Sequence, residues 1–304
     1  MQQEVSFYSW GTRIAATIHI PAGHRAGRKY PAIVMSHGMA NDRDEAGQHT
    51  FMGLKLEEAG YVVLRFDFRG CGASGAPRGR MLIGTEWPQD LRNAITYLLQ
   101  RPEVDAGRIG ALGSSWGGGV TAYVAAIDRR IRAAVTLGAP ANGERWLQHQ
   151  WVTQYGEKGW QGFLADVAAD RERRVQGQPS RVVRLVGGFI PVPEEQIPFF
   201  DQFLAANPIM VSDVPLEVAD DVLFFWPEEM VARIAPTPIR FIHGAVDPVV
   251  DCREALALYE RTGEPKDLRL IEKGIHQLLS PADHGAEQAA RVADLCLEWF
   301  ANYL

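Results

Sequence analysis

The segment GSSWG at 113–117 carries a serine with glycine two positions before it and two positions after it. A serine in this pattern lies on a sharp turn between a strand and a helix, where small neighbours let the backbone bend and the hydroxyl points above the sheet. The first N–H groups of the helix then face any negative charge that develops there. Only Ser115, and not Ser114, has both glycines, so we interpret Ser115 as a nucleophile. A packing turn without chemistry is the alternative.

A serine nucleophile needs a base to take its proton and an acid to orient that base. In a doubly wound sheet such groups lie just beyond the carboxyl ends of the strands. Asp247 follows the apolar run 238–243, and His276 follows the run 268–271. The chain order Ser115, Asp247, His276 is the order of nucleophile, acid and base in this elbow architecture. We therefore predict that Asp247 is the acid and His276 the base.

Each of these two assignments has a rival in the sequence. Asp251 is the rival acid, but it lies four residues further on and is better placed to begin the next helix. His284 is the rival base, but it adjoins the start of the last helix and is better placed to cap it. A lone histidine is more often structural than catalytic, and it is position and chain order that favour His276.

The predicted chemistry also requires two N–H donors for the oxyanion of a tetrahedral intermediate. One comes from the residue after the nucleophile, which is Trp116, and the other from the loop after the first central strand. That loop begins His37-Gly38-Met39. We assign the two donors to the backbone N–H groups of Met39 and Trp116, and we expect His37 to brace the loop rather than to react.

The segment GCGASG at 70–75 matches the dinucleotide fingerprint G-x-G-x-x-G. That fingerprint must open directly into a helix whose N-terminus holds the pyrophosphate. Here we expect a loop at 76–80 and no helix before about residue 86, so we predict no nucleotide cofactor. The eight histidines and three cysteines show no metal-ligand spacing, so we predict no metal.

Apolar runs and helical periodicities alternate along both ends of the chain and define the elements that must position these residues. Short strands are predicted at 7–12, 14–20, 31–36, 61–66, 108–112, 131–137, 238–243 and 268–271. Helices are predicted at 44–59, 86–100, 116–127, 252–262 and 284–303. The first two strands should pair as a hairpin around Trp10-Gly11. The others should form a mostly parallel sheet with helices on both faces, an α/β fold.

Residues 141–235 break this alternation. They show helical stretches at 146–176, 194–206 and 215–225, with a strand only at 181–186, and they hold much of the aromatic content of the chain. We predict that 141–235 is a helical cap inserted into a core formed by 1–140 and 236–304. A separate domain with an unrelated function is the alternative.

Composition excludes several other classes of protein. The chain has 304 residues, 46% of them hydrophobic, and a net charge of −6, whereas proteins that bind nucleic acid normally carry a basic surplus. No apolar run is long enough to span a bilayer, and the first residues do not form a signal peptide. The three widely spaced cysteines argue against a disulfide framework. We therefore expect a cytoplasmic protein.

Together these motifs resemble the serine-nucleophile branch of the α/β-hydrolase superfamily. The resemblance rests on HGM at 37–39, DFRGCGAS at 67–74, GSSWG at 113–117, HG at 243–244 with Asp247, and His276. The second string is similar to a loop of dienelactone-hydrolase-like esterases and X-Pro-dipeptidyl-peptidase-like hydrolases, and thioester hydrolases and acyltransferases of polyketide pathways are also similar. The resemblance covers about 31–140 and 236–303 and implies an α/β-hydrolase fold.

Two departures narrow the resemblance. The oxyanion loop is not of the His-Gly-Gly-Gly type, which argues against a hormone-sensitive-lipase relative. Serine rather than aspartate at the elbow argues against a haloalkane dehalogenase or an epoxide hydrolase.

The sequence thus predicts a serine hydrolase that cleaves an ester or thioester acyl bond through an acyl-enzyme on Ser115, without a cofactor. An apolar or aromatic small-molecule substrate is expected beneath the cap. An acyltransferase, a peptidase or amidase, a carbon–carbon hydrolase and a non-catalytic ligand-binding protein remain as alternatives. The sequence does not determine the oligomeric state.

Overall fold

An eight-stranded sheet forms the centre of the protein. The structure, a computed structural model, describes residues 1–76 and 84–304. Its strands are β1 (Gln2–Ser9), β2 (Thr12–His19), β3 (Tyr30–Ser36), β4 (Val62–Phe66), β5 (Val104–Ser114), β6 (Ile131–Leu137), β9 (Ile239–Gly244) and β10 (Lys266–Ile271). The order across the sheet is β1-β2-β4-β3-β5-β6-β9-β10. Of the loop expected at 76–80, residue 76 is described and residues 77–80 lie outside the described residues.

The sheet is antiparallel at one edge and parallel elsewhere, as predicted. β1 and β2 form the expected hairpin, and β2 pairs antiparallel with β4. The hairpin turn places Trp10 at φ 47° and Gly11 at φ 79°, the left-handed pair that a two-residue hairpin requires. The remaining neighbours are parallel, because a helix crosses over between one strand and the next.

Helices cover both faces of the sheet. They are α1 (Gln48–Glu58), α2 (Trp87–Leu99), α3 (Ser115–Ile127), α7 (Arg253–Arg261) and α9 (Ala286–Tyr303), with the single turn α8 (Pro281–His284) before the last. Successive residues of β3 alternate between the two faces: Ala32 and Val34 belong to the core under α2 and α3, whereas Ile33 and Met35 belong to the core under α1 and α9. This arrangement is the α/β-hydrolase fold that the sequence predicted.

Two helices are shorter than expected for a backbone reason. α1 begins at Gln48 rather than near 44, because Glu45, Ala46 and Gly47 have φ angles of 46°, 52° and 89°, which no right-handed helix contains. The last helix begins at Ala286, because Gly285 at φ 79° separates it from α8.

The segment between β6 and β9 lies outside the main sheet. It contains α4 (Gly143–Val175), which is broken at Gly156, then β7 (Val182–Arg184), α5 (Ile197–Ala206), β8 (Asp213–Pro215) and α6 (Val218–Leu223). β7 pairs antiparallel with β8, so the segment is not purely helical. The helix expected at 215–225 is therefore confined to α6.

None of the helices within the described ranges combines the length and the apolar character needed to cross a lipid bilayer. Location in the cytoplasm stays a prediction from the sequence.

Candidate active site

Ser115 lies on a strained turn where β5 passes directly into α3. Its φ of 51° is in the left-handed region, which a residue with a Cβ rarely adopts. A Cβ on Gly113 would lie 2.2 Å from the carbonyl oxygen of Gly117, and a Cβ on Gly117 would lie 2.2 Å from the carbonyl oxygen of Ser36. Both glycines of the G-x-S-x-G pattern are therefore needed for the chain to close around Ser115.

A chain of hydrogen bonds joins Ser115 to the ends of two other strands. His276 Nε2 lies 2.9 Å from Ser115 Oγ, and His276 Nδ1 lies 2.8 Å from Asp247 Oδ2. A carboxylate can only accept, so Nδ1 carries the ring proton and Nε2 is free to accept the hydroxyl proton of Ser115. The structure thus brings together the three residues that the sequence selected.

The surroundings of Asp247 favour its ionised form. Oδ1 accepts the backbone N–H groups of Val249 and Val250 at 2.8 and 3.0 Å. Burial opposes the charge, but the neighbouring His276, together with hydrogen bonds from His243, His276 and Val250, lowers the pKa of the Asp247 carboxyl below its ordinary value. His243 also donates from Nε2 to the carbonyl oxygen of Val250, which ties this loop to the end of β9.

The Asp247 carboxylate raises the pKa of its neighbour His276. Burial disfavours a positive charge on His276, but the charge of Asp247 and its hydrogen bond outweigh burial and raise the pKa of the imidazole above its ordinary value. A base with a raised pKa accepts a proton more readily, which suits a partner for a weakly acidic hydroxyl.

The rival residues have other partners. Ser114 Oγ lies 2.8 Å from Nε2 of His49. The Asp251 carboxylate binds the backbone N–H and the guanidinium of Arg253 at the start of α7. His284 ends the short helix α8. None of the three joins the Ser115–His276–Asp247 chain.

The expected oxyanion donors lie beside Ser115. Met39 and Trp116 both line the cavity next to the nucleophile, and within the described protein neither backbone N–H has an acceptor. His37 accepts the Phe68 N–H at Nε2, 3.0 Å away, and its Nδ1 donates to the Gly38 carbonyl at 2.7 Å. His37 therefore braces the loop, as the sequence predicted.

A cavity of about 190 Å³ opens beside Ser115. Part of its apolar lining comes from the segment between β6 and β9, and this part, the aliphatic wall, consists of Leu185, Val186, Ile190, Leu204, Met210 and Val211; core residues such as Leu137, Val249 and Leu278 complete the lining. Trp146 and Phe200 are the aromatic residues of that segment in the lining, and Asn41, Glu45, Gln48 and Gln277 are among its polar residues. The pocket is thus more aliphatic than the aromatic content of 141–235 suggested.

Trp146 links this wall to the hydrogen-bonded chain. Its indole N–H donates to the carbonyl oxygen of Val249 at 2.8 Å, two residues after Asp247. Its ring lies edge-on to Trp116, with centroids 5.1 Å apart. Because Trp146 is 3% exposed, it is fixed between the loop that follows Asp247 and the side chain of Trp116.

Most other aromatic side chains of the segment do not face the cavity. Trp151, Trp160, Phe163 and Phe189 stack or meet edge-on with one another and form the core of the segment itself. Phe224 is 70% exposed.

The glycine-rich loop at 70–75 is held by Asp67. The Asp67 carboxylate accepts the Ala73 N–H at 2.8 Å, and a Cβ on Gly72 would collide with that carboxylate at 2.4 Å. In the described part of the chain, the first helix after this loop is α2, which begins at Trp87. Within the described residues, the glycines of this loop therefore serve a tight turn around the Asp67 carboxylate.

Comparison with protein families shows which group shares these features. The model of the X-Pro dipeptidyl-peptidase (S15) family matches residues 11–286. The chain belongs to this family. The match includes the elbow, the acid and base loops and the segment between β6 and β9, and it makes the protein an α/β hydrolase.

Proteins with similar sequences include an uncharacterised protein, a transferase and a thiohydrolase. An uncharacterised 31.7 kDa protein from the traX-finO intergenic region of Escherichia coli is 25% identical over 297 residues, 96% of each chain. The polyketide transferase grgF of a Penicillium species is 26% identical over 81% of each chain. The thiohydrolase aneE of Aspergillus aculeatus is 26% identical over 85% of this chain and 83% of that protein.

Solved structures agree on the fold. The α/β hydrolase GrgF from a Penicillium species superimposes with a TM-score of 0.79 at 22% identity, covering 100% of this chain and 99% of that one. The protein DcsB, solved in complex with its substrate analogue, gives a TM-score of 0.82 at 19% identity with the same coverage.

Two residues of the site were missed by the sequence analysis. Glu45 lies in a loop rich in polar residues, where a carboxylate is ordinarily solvated, so no pattern distinguishes it. For Trp146, the sequence indicates only that the residue belongs to a segment rich in aromatic side chains. The break in the alternation of strands and helices at 141–235 marks the segment but does not indicate which aromatic side chain faces the cavity.

Proposed function

We propose that the protein is a serine hydrolase that cleaves an ester or thioester through an acyl-enzyme on Ser115. The observation that carries the proposal is the hydrogen-bonded chain Ser115–His276–Asp247 at the mouth of an aliphatic cavity. Asp247 is ionised, and in the neutral His276 ring the hydrogen bond to Asp247 places the proton on Nδ1, so that Nε2 is the atom that can accept the hydroxyl proton of Ser115.

In the first half-reaction, Ser115 Oγ attacks the acyl carbon while His276 Nε2 takes the hydroxyl proton. The resulting imidazolium is stabilised by Asp247, and the oxyanion accepts the N–H groups of Met39 and Trp116. Collapse of the intermediate breaks the bond to the leaving group, and His276 returns the proton to an alkoxide. A thiolate leaves more readily and depends less on that proton.

In the second half-reaction, water replaces the leaving group. His276 takes a proton from the water as its oxygen attacks the acyl carbon, and a second oxyanion forms between the same two N–H groups. When this intermediate collapses, the acid is released, and His276 returns the proton to Ser115 Oγ.

The acyl group is best accommodated by the aliphatic wall. We propose that residues 141–235 act as a cap and that their side chains select the acyl chain by burial of apolar surface. The similarity to a thiohydrolase favours thioesters among the acyl substrates.

We expect kcat/KM to increase with the length of the acyl chain. Across p-nitrophenyl esters from acetate to decanoate, kcat/KM should rise by about fourfold per methylene until the cavity is full, because each buried methylene contributes about 0.8 kcal/mol. Leu204→Trp should move the optimum to shorter chains. Val175→Trp, which adds the same side chain at a position that is 81% exposed, should leave the profile unchanged. A flat profile would contradict an acyl pocket at this wall.

The raised pKa of His276 predicts the pH dependence of the reaction. His276 must be neutral to accept the proton of Ser115, so kcat/KM should decline as the pH falls through the pKa of the imidazole, which Asp247 holds above its ordinary value. Asp247 stays ionised throughout, because its own pKa is lowered. The acidic limb of the kcat/KM profile should therefore fit the protonation of a single group, His276. A limb centred below the ordinary imidazole pKa would contradict this assignment.

The substrate class is tested by a screen of ester, thioester and aminoacyl chromogenic substrates, with Ser115→Ala as the blank. Turnover of an ester or thioester that is absent from the blank supports the proposal. Turnover of amides alone would favour a peptidase.

Acyl transfer is a second candidate, favoured by the 26% identity to a polyketide transferase over 260 residues. The acyl-enzyme would then be attacked by an alcohol or amine in place of water. Product analysis with added nucleophiles separates the two, because a transferase forms the new ester or amide at the expense of the free acid.

A further inference from the structure

The loop between β3 and α1 contains a buried carboxylate that the proposed mechanism does not use. Glu45 is 4% exposed, and its backbone lies in the left-handed region at φ 46°, followed by Ala46 at φ 52°. Two consecutive residues with a Cβ in this region are costly, and such strain persists where surrounding contacts hold it, often at functional sites.

The carboxylate holds the residue that precedes a proposed oxyanion donor. Glu45 Oε1 accepts the backbone N–H of Gly38 at 2.9 Å. A Cβ on Gly38 would lie 2.8 Å from Glu45 Oε1 and 3.0 Å from Cβ of Ser115. Gly38 is thus packed between the carboxylate and the nucleophile, and Met39, with the N–H proposed to face the oxyanion, is the next residue.

A second contact ties the carboxylate to the elbow strand. Glu45 Oε2 lies 2.6 Å from Nε2 of His49, and the same nitrogen lies 2.8 Å from Oγ of Ser114. The titratable groups that act on Glu45 are His49 and, at longer range, His37 and His276. Burial opposes ionisation, but the charge and hydrogen bond of His49 outweigh it and lower the pKa of the Glu45 carboxyl. Glu45 is therefore an anion at neutral pH.

Glu45 and His276 line the same cavity. Asp247 and Glu45 are the two anions that act on the imidazole, and both favour its protonated form. An anion held in a buried site acts more strongly than one in water, because the surroundings screen it less.

We propose that Glu45 is a positioning residue: through the Gly38 N–H it fixes the loop that carries the Met39 N–H, and as a second buried anion it stabilises the imidazolium of His276. This inference rests on the proposed function. Glu45 differs from Ser115, His276 and Asp247 in that it touches no reacting atom. It acts through its hydrogen bond to Gly38 and through the electrostatic field of its charge at His276.

Two substitutions separate the two effects. Glu45→Gln keeps an acceptor oxygen for Gly38 but removes the charge, and Glu45→Ala removes both. The control is Glu103→Gln, which removes a carboxylate that is 5% exposed and paired with Arg101 just before β5, at the end of the sheet remote from the site.

The experiment measures kcat and KM against pH for the three variants, together with NMR titration of the His276 imidazole, assigned with His276→Gln. In Glu45→Gln, the acidic limb of kcat/KM and the His276 titration should both move to lower pH by roughly half a unit to one unit. In Glu45→Ala, kcat at the plateau should fall about 10- to 100-fold with KM nearly unchanged, because a misplaced donor costs less than a missing one. Glu103→Gln should match the wild-type protein.

An unmoved His276 titration in folded Glu45→Gln overturns the proposal, as does a Glu45→Ala variant that keeps the wild-type kcat or loses activity through KM alone. If Glu45→Ala does not fold, the Glu45→Gln titration decides. Absence of turnover by the wild-type protein would contradict the proposed function instead, and the His276 titration, which needs no substrate, still decides the role of Glu45.

Discussion

Replacement of Ser115 by alanine is expected to abolish covalent labelling by a fluorophosphonate and to lower kcat by about 10⁶-fold, the loss typical of a removed serine nucleophile. The oxygen that attacks both probe and substrate is then gone, while the fold around it remains. Intact-protein mass spectrometry should show one adduct per wild-type chain and none in Ser115→Ala.

Ser114→Ala is the matched control, because it removes a hydroxyl from the neighbouring residue. Its Oγ contacts His49 rather than His276, so labelling and most of the turnover should survive. A peptide map that places the adduct on Ser114, or turnover that persists in Ser115→Ala, would contradict the elbow assignment.

The second large effect is expected for the acid. Asp247→Asn should lower kcat by about 10³- to 10⁴-fold, because an amide can donate to His276 Nδ1 and then holds the imidazole in the tautomer that cannot accept the Ser115 proton. Losses in a double variant with Ser115→Ala should not add, since these groups act as one unit.

Asp251→Asn tests the alternative carboxylate. Asp251 binds Arg253 at the start of α7, so its replacement should change kcat little. If Asp251→Asn were the more damaging of the two, the acid would have been assigned to the wrong residue.

Much of the core fold was predictable because its signals are local. A continuous apolar run that ends at His37-Gly38 predicts a buried parallel strand, and β3 ends at Ser36 as expected. β6 spans the predicted residues 131–137. A continuous apolar run indicates a buried strand, because a strand that is covered on both faces of the sheet has no side on which polar residues face water.

The boundaries that were wrong depend on backbone angles that no periodicity records. Apolar spacing through 44–59 looked helical, yet Glu45 and Ala46 are left-handed and delay α1. The pairing of β7 with β8 joins segments about 30 residues apart, which a local pattern cannot report.

By itself, the sequence determined the α/β class, and it predicted the sharp turn at Ser115 and, from chain order, Asp247 and His276 as its partners, because glycine spacing and strand ends are features of short segments. Only the tertiary structure decided which side chains surround those residues. The aliphatic wall at Leu185 and Met210 and the buried anion of Glu45 depend on segments distant along the chain. Their burial and charge arise only when those segments pack together, since a carboxylate in an unfolded loop has neither a histidine partner nor a low-dielectric site.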